Sequence, residues 1–172
     1  MSSAKPVPGS PFPDIALPLL GGGELRLAHR QGWRLLVVYR GRHCPLCQRY
    51  LGTLERLRPG FEDAGIEVFA VSADPEERAA ANVQAEGWTF PLAYGLDVEQ
   101  MKTLGVYISP PRSPEETDRP FAEPAVFLVN PEGRIQVVDL SNAPFARPDL
   151  EALLAGIRFI LANDYPVRGT LQ

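Results

Sequence analysis

The sequence predicts an α/β fold: one central mixed β-sheet with helices on both faces and a β-hairpin extension at its N-terminal end. Short continuous apolar runs, Leu35-Leu36-Val37-Val38-Tyr39 and Ile66 to Val71, read as strands covered on both sides. Between and after them, apolar residues recur at helical spacing. Near the C-terminus, Ala125 to Val129 and Ile135 to Val138 flank Asn130-Pro131-Glu132-Gly133, whose turn chemistry joins antiparallel neighbours. A chain of 172 residues fits one domain that can bury a core without disulfide staples.

In chain order, residues 1–8 read as an extended lead-in and residues 9–172 as a single domain, with prolines at 6, 8, 11 and 13 keeping the start extended. Ile15 to Leu19 and Glu24 to Leu27 flank Gly21-Gly22-Gly23, a hairpin whose turn needs positive φ. After the first buried strand, Leu46, Tyr50, Leu54 and Leu57 mark an amphipathic helix over 45–58 that Pro59-Gly60 kinks or ends. Beyond the second strand, Asp74-Pro75-Glu76-Glu77 reads as a helix start with Asp at the N-cap, Pro at N1 and Glu at N3, and Gly87 as that helix's end. Phe90 to Ala93 suits a short strand, and Asp97 with Gln100 a capping box for a helix to Leu104. Residues 107–123, with four prolines, read as one long irregular loop of the kind that often carries function. Leu150, Leu153, Leu154, Ile157, Ile160 and Leu161 mark a closing helix.

Composition excludes some classes. A net charge of -4 argues against a nucleic-acid or acidic-membrane partner. Met1 to Pro6 lacks an apolar signal region, and the longest apolar runs are only strand length, so a soluble cytoplasmic protein is expected. In that reducing compartment a cysteine pair is more often catalytic or metal-binding than structural.

The chain's two cysteines lie in Arg40-Gly41-Arg42-His43-Cys44-Pro45-Leu46-Cys47, where a strand gives way to a helix. Pro45 suits the first helical position because its missing N–H would be unpaired there anyway. Cys44 is then the N-cap and Cys47 the N3 residue, so the sulfur of Cys44 accepts backbone hydrogen bonds that stabilise a thiolate. The helix dipole adds ~0.3–1 kcal/mol, and Arg40, Arg42 and His43 add more if they face the sulfur. Cys47 falls one turn inward beside Tyr50, Leu51 and Leu54. The expected division of labour is an exposed nucleophile, Cys44, and a buried resolving thiol, Cys47, with Tyr39, Arg40, His43 and Pro45 in support. Half a zinc site is the rival, but four ligands are normally needed and only His29 and His43 remain; two inert core cysteines are another. His43 either tunes the sulfur or is a solvated loop residue. No haem, flavin, nucleotide or metal motif is present, so no cofactor is expected.

The order of strand, Cys-Pro-x-Cys at a helix start, βα unit, and Glu123-Pro124-Ala125 leading into a strand and hairpin resembles the thioredoxin fold. Phe12-Pro13-Asp14-Ile15-Ala16-Leu17, Val38-Tyr39-Arg40-Gly41 and Tyr165-Pro166-Val167-Arg168-Gly169-Thr170 resemble the AhpC/TSA, peroxiredoxin-like family over about residues 9–170. Peroxiredoxins carry Pro-x-x-x-Thr-x-x-Cys and a later activating Arg. Aligned on Cys47, this chain has Arg40 for Pro and Cys44 for Thr; aligned on Cys44, it has Val37 and Gly41. Pro124 stands at the Arg position and resembles instead the cis-proline of thioredoxins. The resemblance thus implies a cis Glu123–Pro124 bond facing the dithiol, with Pro124 binding substrate.

Three functions follow as expectations. The first is a thiol-disulfide oxidoreductase cycling Cys44–Cys47, in which Cys44 attacks a disulfide and Cys47 resolves it. The second is a thiol-dependent peroxidase acting on H2O2 or organic hydroperoxides, with either cysteine attacking first. The third is a redox sensor that switches the surface around 107–123. The partners implied are a thioredoxin-, glutaredoxin- or glutathione-like reductant and a disulfide or peroxide substrate. Dimers are common among peroxiredoxin-like folds, so a homodimer is an option, and no interface is legible.

Overall fold

A computed structural model describes residues 4–171. The first strands, β1 (Leu17–Pro18) and β2 (Glu24–Leu25), pair antiparallel across the glycine turn. They are shorter than the sequence suggests because their flanks are used elsewhere: Leu20 N–H donates to Leu92 O, and Leu27–His29 form a turn of 3-10 helix. β3 (Trp33–Val38) follows, then α1 (Pro45–Asp63), β4 (Ile66–Val71), α2 (Glu76–Glu86), β5 (Leu92–Ala93) and α3 (Val98–Leu104). β6 (Ile108–Ser109), β7 (Phe121–Ala122), β8 (Ala125–Val129), β9 (Ile135–Leu140) and α4 (Leu150–Asn163) complete the order.

Five strands make the central sheet in the order β5-β4-β3-β8-β9. β3 runs parallel to β4 and antiparallel to β8, with Val38 opposite both Val71 and Ala125. Its side chains alternate between two cores, which is why its apolar run is unbroken. Leu35 and Val37 pack with Leu51 and Leu54 of α1, Ala79 of α2 and Leu154 and Ile157 of α4. Leu36 and Val38 pack on the other face with the β1–β2 hairpin, Met101 and Leu104 of α3, and Phe121.

Three local expectations need correction. α1 does not end at Pro59-Gly60; it continues to Asp63. Interior proline costs ~3 kcal/mol or more, but continuation buries Phe61 completely, and Gly60 lets α4 come close, since a Cβ there would lie 2.9 Å from Leu154 Cδ2. The N-cap of α2 is Pro75, not Asp74, whose carboxylate is engaged elsewhere. Residues 107–123 are not irregular throughout: β6 and β7 pair antiparallel, and Glu123 N–H donates to Tyr107 O at 2.8 Å, so the irregular part shrinks to 110–120. The Asp97/Gln100 capping box forms as expected.

Buried Arg34 ties the central strand to its surroundings at the end away from the cysteines. Its guanidinium donates to Leu27 O at 3.1 Å, Gly32 O at 2.6 Å and Asn130 O at 2.7 Å. Arg34→Met should lower the unfolding free energy by about 2–4 kcal/mol, because each buried carbonyl left unpaired costs ~1–3 kcal/mol. The check is urea denaturation, with a lower midpoint at an unchanged slope.

Candidate active site

β3 and β4 are parallel neighbours, and the two cysteines lie just beyond their C-terminal ends, where open α/β sheets place their sites. Tyr39 extends the ladder by one bond, its N–H to Val71 O at 3.0 Å, and the chain then turns through 40–43 into α1. Pro45 opens the helix and Cys44 is its N-cap, with extended backbone (φ -108, ψ 103) and a sulfur that accepts the Cys47 N–H at 3.3 Å. The helix start therefore aims the Cys47 N–H at the Cys44 sulfur.

Cys44 is not exposed as expected: only 2% of it is accessible, against 0% for Cys47. The sulfur is buried by its surroundings, the apolar cluster that also holds Tyr39, Cys47 and Val126, with Arg40 beside it. Three interactions nevertheless favour its thiolate. Cys47 offers its S–H, the Cys47 backbone N–H points at it, and Arg40 Nη1 lies 3.9 Å away. Against the burial penalty, they bring Cys44 from near 9 to about 6. Cys47 moves the other way. It donates its proton to the Cys44 thiolate and lies among apolar side chains, and both effects push its pKa up.

The expected supporting residues separate by role. Arg40 packs over the Phe121 ring at 4.8 Å and pairs with Glu123 at 3.1 Å and Glu116 at 3.5 Å, which fixes its charge beside Cys44. His43 instead packs its ring edge on Phe121, 4.7 Å between centroids, and burial favours its neutral form. Neither ring nitrogen has a hydrogen-bond partner among the described residues. Arg42 is exposed, and it contributes its backbone N–H, which donates to Asp74 Oδ2 at 2.7 Å. Tyr39 meets Trp88 edge-on, and its hydroxyl is buried.

Pro124 requires a correction as well. Among the described residues no peptide bond is cis, so Glu123–Pro124 is trans. The chain runs extended from β7 straight into β8, with Glu123 N–H bonded to Tyr107 O and Ser141 N–H bonded to Pro124 O, and no reversal demands a cis bond. Pro124 is buried one position before Ala125, the register partner of Val38, which places it across the strand pair from Tyr39.

Several site residues were missed in the sequence. Asp74, read as a helix cap, holds the 40–43 turn; so does Gln48, whose Nε2 donates to Gly41 O at 3.1 Å and Cys44 O at 3.2 Å. Asn82 in turn donates to Gln48 Oε1. Gly41 sits at φ +134, and a Cβ there would lie 2.9 Å from Asp74 Oδ1, so glycine is required at that point. Arg147 lies 100 positions from Cys47, yet its Nη1 is 3.3 Å from the Cys47 sulfur. Nothing in the local sequence marks it. The only available signal for Asp74 was its position one turn past a parallel strand.

A family model for the AhpC/TSA family matches residues 8–138. A putative peroxiredoxin of Mycobacterium tuberculosis (strain H37Rv) is 32% identical over 101 residues, 58% of this chain and 64% of that protein, so the chain spans less than two thirds of that relative's length. Thiol-disulfide oxidoreductase ResA of Geobacillus kaustophilus is 26% identical over 151 residues, covering 87% of this chain and 78% of that one. Among solved structures, a peroxiredoxin-like protein from Aquifex aeolicus superposes with TM-score 0.78 at 16% identity, covering 92% of this chain and 90% of that one. Peroxidoxin BcpB from M. tuberculosis gives TM-score 0.74 at 20% identity, covering 90% and 98%. The fold is thus the thioredoxin-like fold of peroxiredoxins, and with its family model matched over most of its length, this chain belongs to the AhpC/TSA family.

Proposed function

We propose that this protein is a thiol-disulfide oxidoreductase that cycles Cys44–Cys47 between dithiol and disulfide. The observation that carries the reading is the asymmetry of the pair: one sulfur is held as thiolate at neutral pH by the helix start, Arg40 and its neighbour's S–H, and the other is kept protonated. The Cys44 thiolate attacks a substrate disulfide and expels one sulfur as a thiol. Cys47 then attacks Cys44, releases the second substrate thiol and leaves the Cys44–Cys47 disulfide. An external thiol reductant of the thioredoxin, glutaredoxin or glutathione kind resets it, in keeping with a reducing, cytoplasmic setting.

A groove beside the first turn of α1 is lined by Leu46, Tyr50, Pro144, Phe145 and Arg147, with Phe145 81% exposed at its rim. Trans Pro124 carries no part of this reading.

A second reading, an antioxidant thiol peroxidase, is favoured by one observation. The family's Arg position holds Pro124, but Arg40 and Arg147 each place a guanidinium on a sulfur, supplying the positive charge that peroxide reduction needs. In that cycle a thiolate takes one peroxide oxygen, becomes a sulfenic acid and condenses with the other thiol, releasing water.

Two outcomes test the favoured reading. Cys47→Ser should accumulate mixed disulfides at Cys44, seen by mass spectrometry of material captured without reductant; a variant that traps nothing and turns over normally contradicts it. Arg40→Met removes a cation beside Cys44 and should raise the midpoint of its pH-dependent alkylation above about 6, with fewer thiolates and slower iodoacetamide labelling at pH 6.5 by a few-fold. An unchanged midpoint would remove Arg40 from the site's chemistry.

A further inference from the structure

Arg147 belongs to the turn between β9 and α4 and is held from three directions. Its Nε donates to Pro144 O at 2.8 Å, its guanidinium lies 4.3 Å over the Tyr50 ring, and its Nη1 reaches Cys47 Sγ at 3.3 Å. Tyr50 is itself fixed, donating its hydroxyl to Pro148 O at 2.7 Å. Among the described residues no carboxylate lies within ion-pair distance of Arg147, whereas Arg40 is shared between Glu116 and Glu123. The positive charge beside Cys47 is therefore the less neutralised of the two.

In the resting dithiol the pull of that charge on Cys47 is outweighed. The Cys44 thiolate takes the Cys47 proton in a hydrogen bond and opposes a second negative charge. Once Cys44 is joined to substrate its charge is gone, and the groups facing Cys47 are Arg147, Arg40 with its backbone N–H, and Tyr39, which burial keeps protonated. We propose that Arg147 activates Cys47 for the second half of the cycle, holding that sulfur as a thiolate once Cys44 is locked in a mixed disulfide. The Cys47 proton leaves to solvent or to the thiolate already expelled. The Cys47 electron pair then forms the bond to Cys44 Sγ, the Cys44–substrate S–S bond breaks, and the departing substrate sulfur carries the electrons away and is protonated. The guanidinium gives up no proton at any stage.

This assignment rests on the disulfide-exchange reading, and one experiment separates the two. Reduced protein is mixed with 4,4′-dithiodipyridine, an uncharged disulfide at neutral pH, and thiopyridone release is followed by stopped flow. The first equivalent reports attack by Cys44 and the second reports attack by Cys47. In Arg147→Met the first phase should stay within about twofold, while the second slows roughly 10–1,000-fold, as expected when an adjacent cation that lowers an acid's pKa by about 1–3 units is removed. Its pH midpoint should move up. Arg147→Lys should recover part of the rate. In a Cys44→Ser background, Arg147→Met should raise the midpoint for Cys47 alkylation by about a unit or more. A second phase that is unchanged in Arg147→Met overturns the assignment, as does equal slowing of both phases, which would mark a packing role. If the wild-type protein shows no first phase, the disulfide-exchange reading falls and the assignment with it.

Discussion

A single negative charge, held between two sulfurs at the first turn of α1, sets the terms for the rest of the structure. The charge has to be placed where the helix start offers a backbone N–H, so Cys44 is the N-cap and Pro45 begins the helix. It has to be balanced, so Arg40 lies beside it and is itself steadied by Glu116, Glu123 and the Phe121 ring. It also has to be unshared with a second anion, so Cys47 stays protonated beneath it. Each of these requirements fixes one of the elements that meet at the site. The long connection between β6 and β7 delivers Glu116, and β7 with its link into β8 delivers Phe121 and Glu123.

The turn from Arg40 to His43 shows how costly this placement is to hold. Its backbone is secured by Asp74 and Gln48, and its conformation at Gly41 admits no side chain. Asp74 comes from the end of β4 and Gln48 from α1, so the turn is pinned between the parallel neighbour of its own strand and the helix it opens. The same arrangement buries Cys44, and a bulky disulfide can reach it only if the surrounding rim gives way. Residues 110–120 are anchored to the body through the Arg40–Glu116 and Arg78–Asp118 pairs.

What could be read from the sequence was what is decided within a few residues. The N-cap role of Cys44, the Asp97/Gln100 box, the Asn130–Gly133 turn and the two-faced strand at 35–39 all rest on local spacing. The errors came where distant parts of the chain decide. Asp74 looks like an ideal N-cap until the 40–43 turn claims its carboxylate. Pro59 looks like a helix end until Phe61 finds a core. Cys44 looks exposed because a nucleophile is expected to be, although apolar side chains from distant elements close over it. Arg147 has no signature near it, since its meaning comes entirely from the return of the β9–α4 turn to α1. The resemblance to thioredoxins suggested a cis bond at Pro124, and the extended run from β7 into β8 leaves no need for one.

The account stands on the claim that the reduced pair carries one thiolate and one thiol at neutral pH. Cysteine Cβ chemical shifts of the reduced wild-type protein, followed by NMR from pH 4 to 10, test it most directly. One titration centred near 6 and assigned to Cys44, with Cys47 remaining protonated well above that pH, is the predicted result. Two thiols that both titrate above pH 8 would contradict it.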